Sequence, residues 1–190
     1  MILFWAVAAG LFIGLLRKGT LRSLGDVDLR YAWLVFLSLL IQLLIFPLFK
    51  EEPIIGFWTP YFHGLSYFLV IIFTFLNLRI WQISIVGLGM FMNIAVIVAN
   101  GGYMPASVEA LREAGNVMVA ENLSEMEIYG NLIKMGKLTF MDFLGDWLYL
   151  PHWLPLSNAF SLGDGLIGLG IIAFLADKMV GRRTKKNNST

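Results

Sequence analysis

At 190 residues, with 58% apolar side chains, a mean hydropathy of +0.74 and only 14% charged residues, the chain lies far from the soluble norm and reads as an integral membrane protein. A net charge of +1, with Lys and Arg dispersed over short loops, excludes a phosphate-neutralising surface and with it a nucleic-acid partner. Cys is absent and His63 and His152 are the only histidines, so disulfides, thiol chemistry and multi-histidine metal sites are excluded, and no metal or cofactor is expected.

The expected fold is all-α, a polytopic membrane bundle of about five transmembrane helices at about 1–16, 31–49, 63–78, 81–99 and 159–177. Each approaches the ~20 apolar residues that cross a ~30 Å hydrocarbon core. Residues 1–180 make a single membrane domain, and 181–190 a disordered basic tail. The first stretch, MILFWAVAAGLFIGLL, lacks a basic leader and is followed by RKGTLR, so a retained span is expected rather than a secretory signal. Within it Ala6, Gly10 and Gly14 recur every four residues, a face on which a neighbouring helix can come close.

Between the second and third spans, Pro53 and Pro60 break helix, and Trp58 and Tyr61 suit a membrane interface. The third and fourth spans are separated only by Leu78-Arg79-Ile80, so either a tight helical hairpin or a single long bent segment is expected. Gln42, Asn77, Asn93 and Asn100 are polar residues in or at the ends of spans. Such residues usually bond a neighbouring helix, and for Asn93 and Asn100, which share a face, a polar substrate contact is the other reading.

Orientation follows from the distribution of basic residues. With the N-terminus outside, the loop at 17–30, Arg79 and the tail face the cytoplasm and hold ten of the fourteen Lys and Arg, while nine of the thirteen acids fall outside. The expected location is thus the inner membrane, multi-pass, N-terminus out and C-terminus in.

Residues 100–158 then form one extracytoplasmic segment, too long to lack structure. NGGYMP at 100–105 is a turn, ASVEALREAG at 106–115 favours helix, and Ser124 with Glu127 has capping-box spacing ahead of a second helix reaching Lys134. These pieces are expected to lie on the membrane surface. Trp147, Tyr149 and Trp153 would hold the following loop at the headgroups, and His63 and His152 read as interfacial anchors, with His152 near enough in sequence to orient Asp146.

That loop carries Asp142 and Asp146, and Asp164 stands in the first turn of the last span. An acid there is costly unless paired, hydrated or protonated. Asp164 is either a polar helix cap, stabilised by the helix dipole, or a catalytic or binding carboxylate. Asp142 and Asp146, four apart, share a face if their segment is helical, and either could meet Asp164. Two close carboxylates hold one proton between them and can act as acid and base on water, the physics of an aspartyl peptidase.

Gly130-Asn131-Leu132-Ile133, Met141-Asp142-Phe143 and Phe160-Ser161-Leu162-Gly163-Asp164 resemble the last third of the bacterial lipoprotein signal peptidases. The resemblance implies catalytic aspartates at Asp164 and at Asp142 or Asp146, with Asn131 and Ser161 as binding positions. It also implies a lipid-linked or transmembrane protein substrate at the outer leaflet. The chain departs from that pattern at Lys134-Met135, where the family has Asp-Arg, and at Ser161, where it has Asn. Over nearly its whole length it looks more like a family of small bacterial membrane proteins of unknown function. The motifs carrying that likeness are NGGYMP, Leu144-Gly145-Asp146 and Phe160 to Asp164, and they favour Asp146 as the partner of Asp164. Two functions are therefore expected: an aspartyl membrane hydrolase, or a non-catalytic module binding a membrane lipid or a partner protein.

Overall fold

The computed structural model describes residues 2–45 and 59–181. In chain order these form α1 (Ile2–Leu16), α2 (Arg22–Gly25), α3 (Trp33–Ile45), α4 (Thr59–Leu76), α5 (Trp81–Ala99), β1 (Met104–Ala106), α6 (Val108–Glu113) and α7 (Val117–Met126). There follow β2 (Ile128–Tyr129), β3 (Leu132–Lys134), a 3₁₀ turn at Asp142–Leu144, β4 (Leu148–Tyr149), β5 (Ala159–Phe160) and α8 (Leu162–Lys178). The fold is mostly helical, but it is not all-α. The interface expected around Pro53 and Trp58, and the basic tail from Arg182, lie outside the described residues.

Among the described residues α5 is the one helix long and apolar enough by itself to cross a membrane, and α1, α3 and α4 carry shorter apolar runs. The last helix begins at Leu162 because Ala159 and Phe160 are drawn into strand pairing with Tyr149 and Leu148. Phe36, Phe75, Phe91 and Val98 on α3, α4 and α5 are each about 70% exposed, so these helices turn bulky apolar side chains outward.

Helix α8 lies between α1 and α5, and small residues set both contacts. On one side Gly10 meets Ile172 and Leu175, where an added Cβ would sit 3.0 Å from the Leu175 Cβ, and Ala6 faces Gly168. On the other, Gly170 lies against the Gln82 carbonyl and Val86, and Gly163 against the Gly89 carbonyl. Absence of side chains lets the backbones approach closely, which strengthens dispersion contacts between the helices.

Polar side chains fasten the remaining helices. Ser38 Oγ donates to the Ser66 carbonyl at 3.0 Å and Gln42 Nε2 to Ser66 Oγ at 2.7 Å, joining α3 to α4. Asn77 accepts from the Arg30 N–H at 2.8 Å and donates to its carbonyl at 2.9 Å, which ties the loop before α3 to the α4–α5 hairpin. Both sets satisfy polar groups whose burial would otherwise be costly.

The segment after α5 is a small packed unit rather than helices lying separately on a surface. Its core gathers Ala106, Ala110, Leu111, Ala120, Leu123 and Ala159. The helix expected from Ser124 to Lys134 does not form. Instead Ser124 lies inside α7, Glu127 takes a left-handed backbone (φ 63°) that stops the helix, and Gly130 (φ 62°) turns the chain into an antiparallel β2–β3 pair. β3 then pairs in parallel with β1, Met104 opposite Leu132. The β-branched Ile128 and Ile133 suit strands better than a helix, and tertiary pairing overrides the capping-box spacing.

Candidate functional site

Where β5 enters α8, Ser161 is the N-cap residue and Asp164 the third helical residue. The Asp164 N–H donates to Ser161 Oγ at 3.0 Å, and the Ser161 N–H to Asp164 Oδ2 at 3.4 Å, a complete capping box. Asn93 of α5 closes the arrangement into a ring. Ser161 Oγ donates to Asn93 Oδ1 at 2.8 Å, and Asn93 Nδ2 donates to Asp164 Oδ1 at 2.7 Å. Ser161 is fully buried and Asn93 nearly so, and this closeness requires Gly163, whose Cβ would overlap Asn93 Oδ1.

Asp146 arrives from the other direction. The 3₁₀ turn at Asp142–Leu144 leads through Gly145 into an extended residue that bridges β1 beside Ala106. The Asp146 N–H donates to the Pro105 carbonyl at 2.8 Å, and the Asp146 carbonyl accepts from the Ser107 N–H at 2.9 Å. A Cβ at Gly145 would stand 2.5 Å from that Pro105 carbonyl, so glycine is needed for the LGD segment to dock on the strand that ends NGGYMP. Two motifs far apart in sequence thus become one backbone contact.

Asp146 is half-buried, and its Oδ1, sealed from solvent, has no hydrogen-bond partner among the described residues. Burial, and secondarily the charge of Asp164, push its carboxyl up to about 7. Tyr67, on α4, lies within electrostatic reach of both carboxylates. It is the residue that reading the sequence missed, because one Tyr in an aromatic-rich apolar span carries no local signal.

The other expected site residues are placed differently. Asp142 also has a buried Oδ1 without a partner, but the 3₁₀ turn and the extended Asp146 remove the helical face the two were expected to share. Asn131 sits exposed in the β2–β3 turn. His152 is exposed and packs beside Gly115. The side chain of His63 is not among those described. Among the described residues no three His, Asp or Glu converge in a group that could hold a metal.

Asn100 is a clasp. Its Nδ2 donates to the Phe140 carbonyl at 2.9 Å and to the Val96 carbonyl at 2.7 Å, while its Oδ1 accepts from the Phe140 N–H at 2.8 Å. It fixes the loop carrying Asp142 and Asp146 to the end of α5. Asn100→Ala leaves both Phe140 backbone groups unpaired, at about 1 kcal/mol or more each. The expected result is a thermal midpoint in detergent lower by roughly 4–8 °C, with faster amide exchange at Phe140.

A family model described as "Family of unknown function (DUF5317)" matches residues 26–176, a span that includes NGGYMP, the LGD segment, Asn93 and Asp164. No curated protein and no solved structure matches the chain.

Proposed function

The chain belongs to this family of unknown function, and from that premise we propose that it is a multi-pass inner-membrane protein whose Asp146 and Asp164 form an acid–base pair at the outer leaflet. The membrane reading rests on α5 and on the outward Phe and Leu of α1, α3 and α4, a surface that water would penalise and hydrocarbon would not. Five spans with the N-terminus out and the C-terminus in fit the charge distribution.

The observation that carries the chemistry is the buried, unpartnered Oδ1 of Asp146 beside a second carboxylate held in a fixed ring. Below about pH 7 Asp146 is the member that keeps a proton and polarises a substrate carbonyl. Asp164 accepts the proton of an attacking water, since a carboxylate has lone pairs beyond those given to Asn93 and Ser161. Such a pair hydrolyses an amide or ester without a metal. The substrate class is a lipid-linked or transmembrane protein, in the manner of the lipoprotein signal peptidases.

A second reading, a non-catalytic module that binds a lipid or partner protein, is favoured by the capping box, which gives Asp164 a structural task of its own. Replacing Asp146 and Asp164 separately by Asn, and measuring cleavage of a reporter lipoprotein in cells with protein abundance followed in parallel, separates the two. Loss of cleavage at normal abundance is the expected result. A wild-type chain that cleaves no reporter supports the binding module, and a C-terminal tag accessible from outside the cell removes the topology on which both readings stand.

A further inference from the structure

After β3 the chain folds back along the bundle. Residues 136–144 run beside the last turns of α5, where Asn100 Nδ2 donates to both the Val96 and the Phe140 carbonyls. The 3₁₀ turn at Asp142–Leu144 packs on α5 and α8, and its Leu144 shares a buried cluster with Val96, against which Met92 also packs. At 1.5 Å per residue, Val96 and Met92 stand roughly 5 and 10 Å short of the end of α5. On the membrane reading, this segment therefore lies below the outer end of a span.

Side chains and backbone there suit an apolar surrounding. Leu138 is 88% exposed, Phe140 66% and Phe143 62%, a surface that water penalises. The backbone between them is closed from within. The Thr139 hydroxyl accepts from the Gly136 N–H and donates to the Gly136 carbonyl, both at 2.9 Å. The carbonyls of Phe140, Met141, Asp142 and Phe143 are taken in turn by Asn100 Nδ2, the Leu144 N–H, the Gly145 N–H and the Trp147 indole N–H, at 2.8 to 3.0 Å. A loop in water needs no such closure, whereas in hydrocarbon a bare carbonyl finds no other partner. Depth beside α5 selects lipid over a soluble protein, which cannot reach below the end of a span.

We propose that residues 138–143 are a re-entrant strap that sinks Leu138, Phe140 and Phe143 among the acyl chains of the outer leaflet. Lys137, exposed at its start, reaches back to the lipid phosphates, as a long basic side chain does at an interface. The strap ends three residues before Asp146, so the same insertion holds that carboxyl at the membrane boundary. This rests on the membrane reading above and is independent of whether Asp146 and Asp164 hydrolyse anything.

The chain has no Cys, so a nitroxide on one introduced Cys reports a single position. Leu138→Cys, Phe140→Cys and Phe143→Cys are each labelled in the full chain, in nanodiscs of palmitoyl-oleoyl phosphatidylethanolamine and phosphatidylglycerol. Electron paramagnetic resonance then compares collisions with oxygen, which concentrates in hydrocarbon, and with a water-soluble nickel chelate. Phe91→Cys on α5 is the hydrocarbon reference and Glu121→Cys on α7 the aqueous one, both at exposed positions. Strap labels are expected to match Phe91→Cys, with oxygen collisions exceeding nickel collisions, and Glu121→Cys to show the reverse. Leu138 is so exposed that its replacement leaves the fold intact, and its label decides the matter if another variant lowers the thermal midpoint. Strap labels open to nickel while Phe91→Cys is closed to it overturn the proposal alone. Labels closed to both reagents mean that protein covers the strap, and overturn it too. Nickel collisions at Phe91→Cys overturn the membrane reading and this inference together, whereas an inactive reporter assay leaves the inference standing.

Discussion

Gly163→Ala is expected to lower the thermal midpoint in detergent by roughly 10 °C, while Gly165→Ala, two residues along the same helix, leaves it unchanged or slightly raised. The added Cβ at position 163 would overlap Asn93 Oδ1 and stand 2.6 Å from the Gly89 carbonyl. Backbone cannot yield cheaply, so α5 and α8 separate or Asn93 swings away. Overpacking of that kind costs about 1–3 kcal/mol. A displaced Asn93 also withdraws its bonds to Asp164 and Ser161, adding about 1–3 kcal/mol for groups left buried and unpaired. At Gly165 nothing lies within 4 Å, and Ala is the better helix former by roughly 0.5–1 kcal/mol. Equal midpoints for the two variants would mean that α5 and α8 do not meet at Gly163.

Asp146→Asn is expected to raise stability at pH 8 and flatten its dependence on pH. The carboxyl is raised from 3.8 to about 7 by burial and by Asp164, so between those values the folded chain holds a proton that the unfolded chain has released. Its contribution to stability is full below pH 3.8 and is lost as pH rises through about 7. The interval corresponds to on the order of 4 kcal/mol, all of it removed by a side chain that does not ionise. Thermal midpoints of wild type and variant should diverge as pH rises from 3.8 to about 7, wild type falling and Asp146→Asn level, and keep a constant separation above that. Curves parallel over that interval would mean that Asp146 is solvated rather than buried. The titratable groups facing it, Asp164 and Tyr67, remain in both proteins, so the difference isolates Asp146.

Local chemistry explains which expectations hold. The polar cap expected at Asp164 is a short-range feature, and the structure forms it as a capping box with Ser161. Ser124 followed by Glu127 has equal spacing, yet no helix starts there, because the strand ending NGGYMP offers Leu132–Lys134 a pairing partner that spacing alone cannot reveal. Asp142 and Asp146 fail to share a helical face for a similar reason. The Pro105 carbonyl and the Ser107 N–H claim the Asp146 backbone and hold it extended.

Composition and periodicity alone determined a mostly helical chain with long apolar stretches, a hairpin or bend at Arg79, close approach along Ala6, Gly10 and Gly14, and acids gathered near the start of α8. Those properties are written in neighbouring residues, through hydropathy, spacing and the size of side chains. The tertiary structure decided that Asp146 comes within electrostatic reach of Asp164, that Asn93 of α5 bonds Asp164, and that Tyr67 lies within reach of both. Each of these joins residues well separated along the chain, and close backbone approach such as that at Gly145 and Gly163 is set by packing, which no local pattern records.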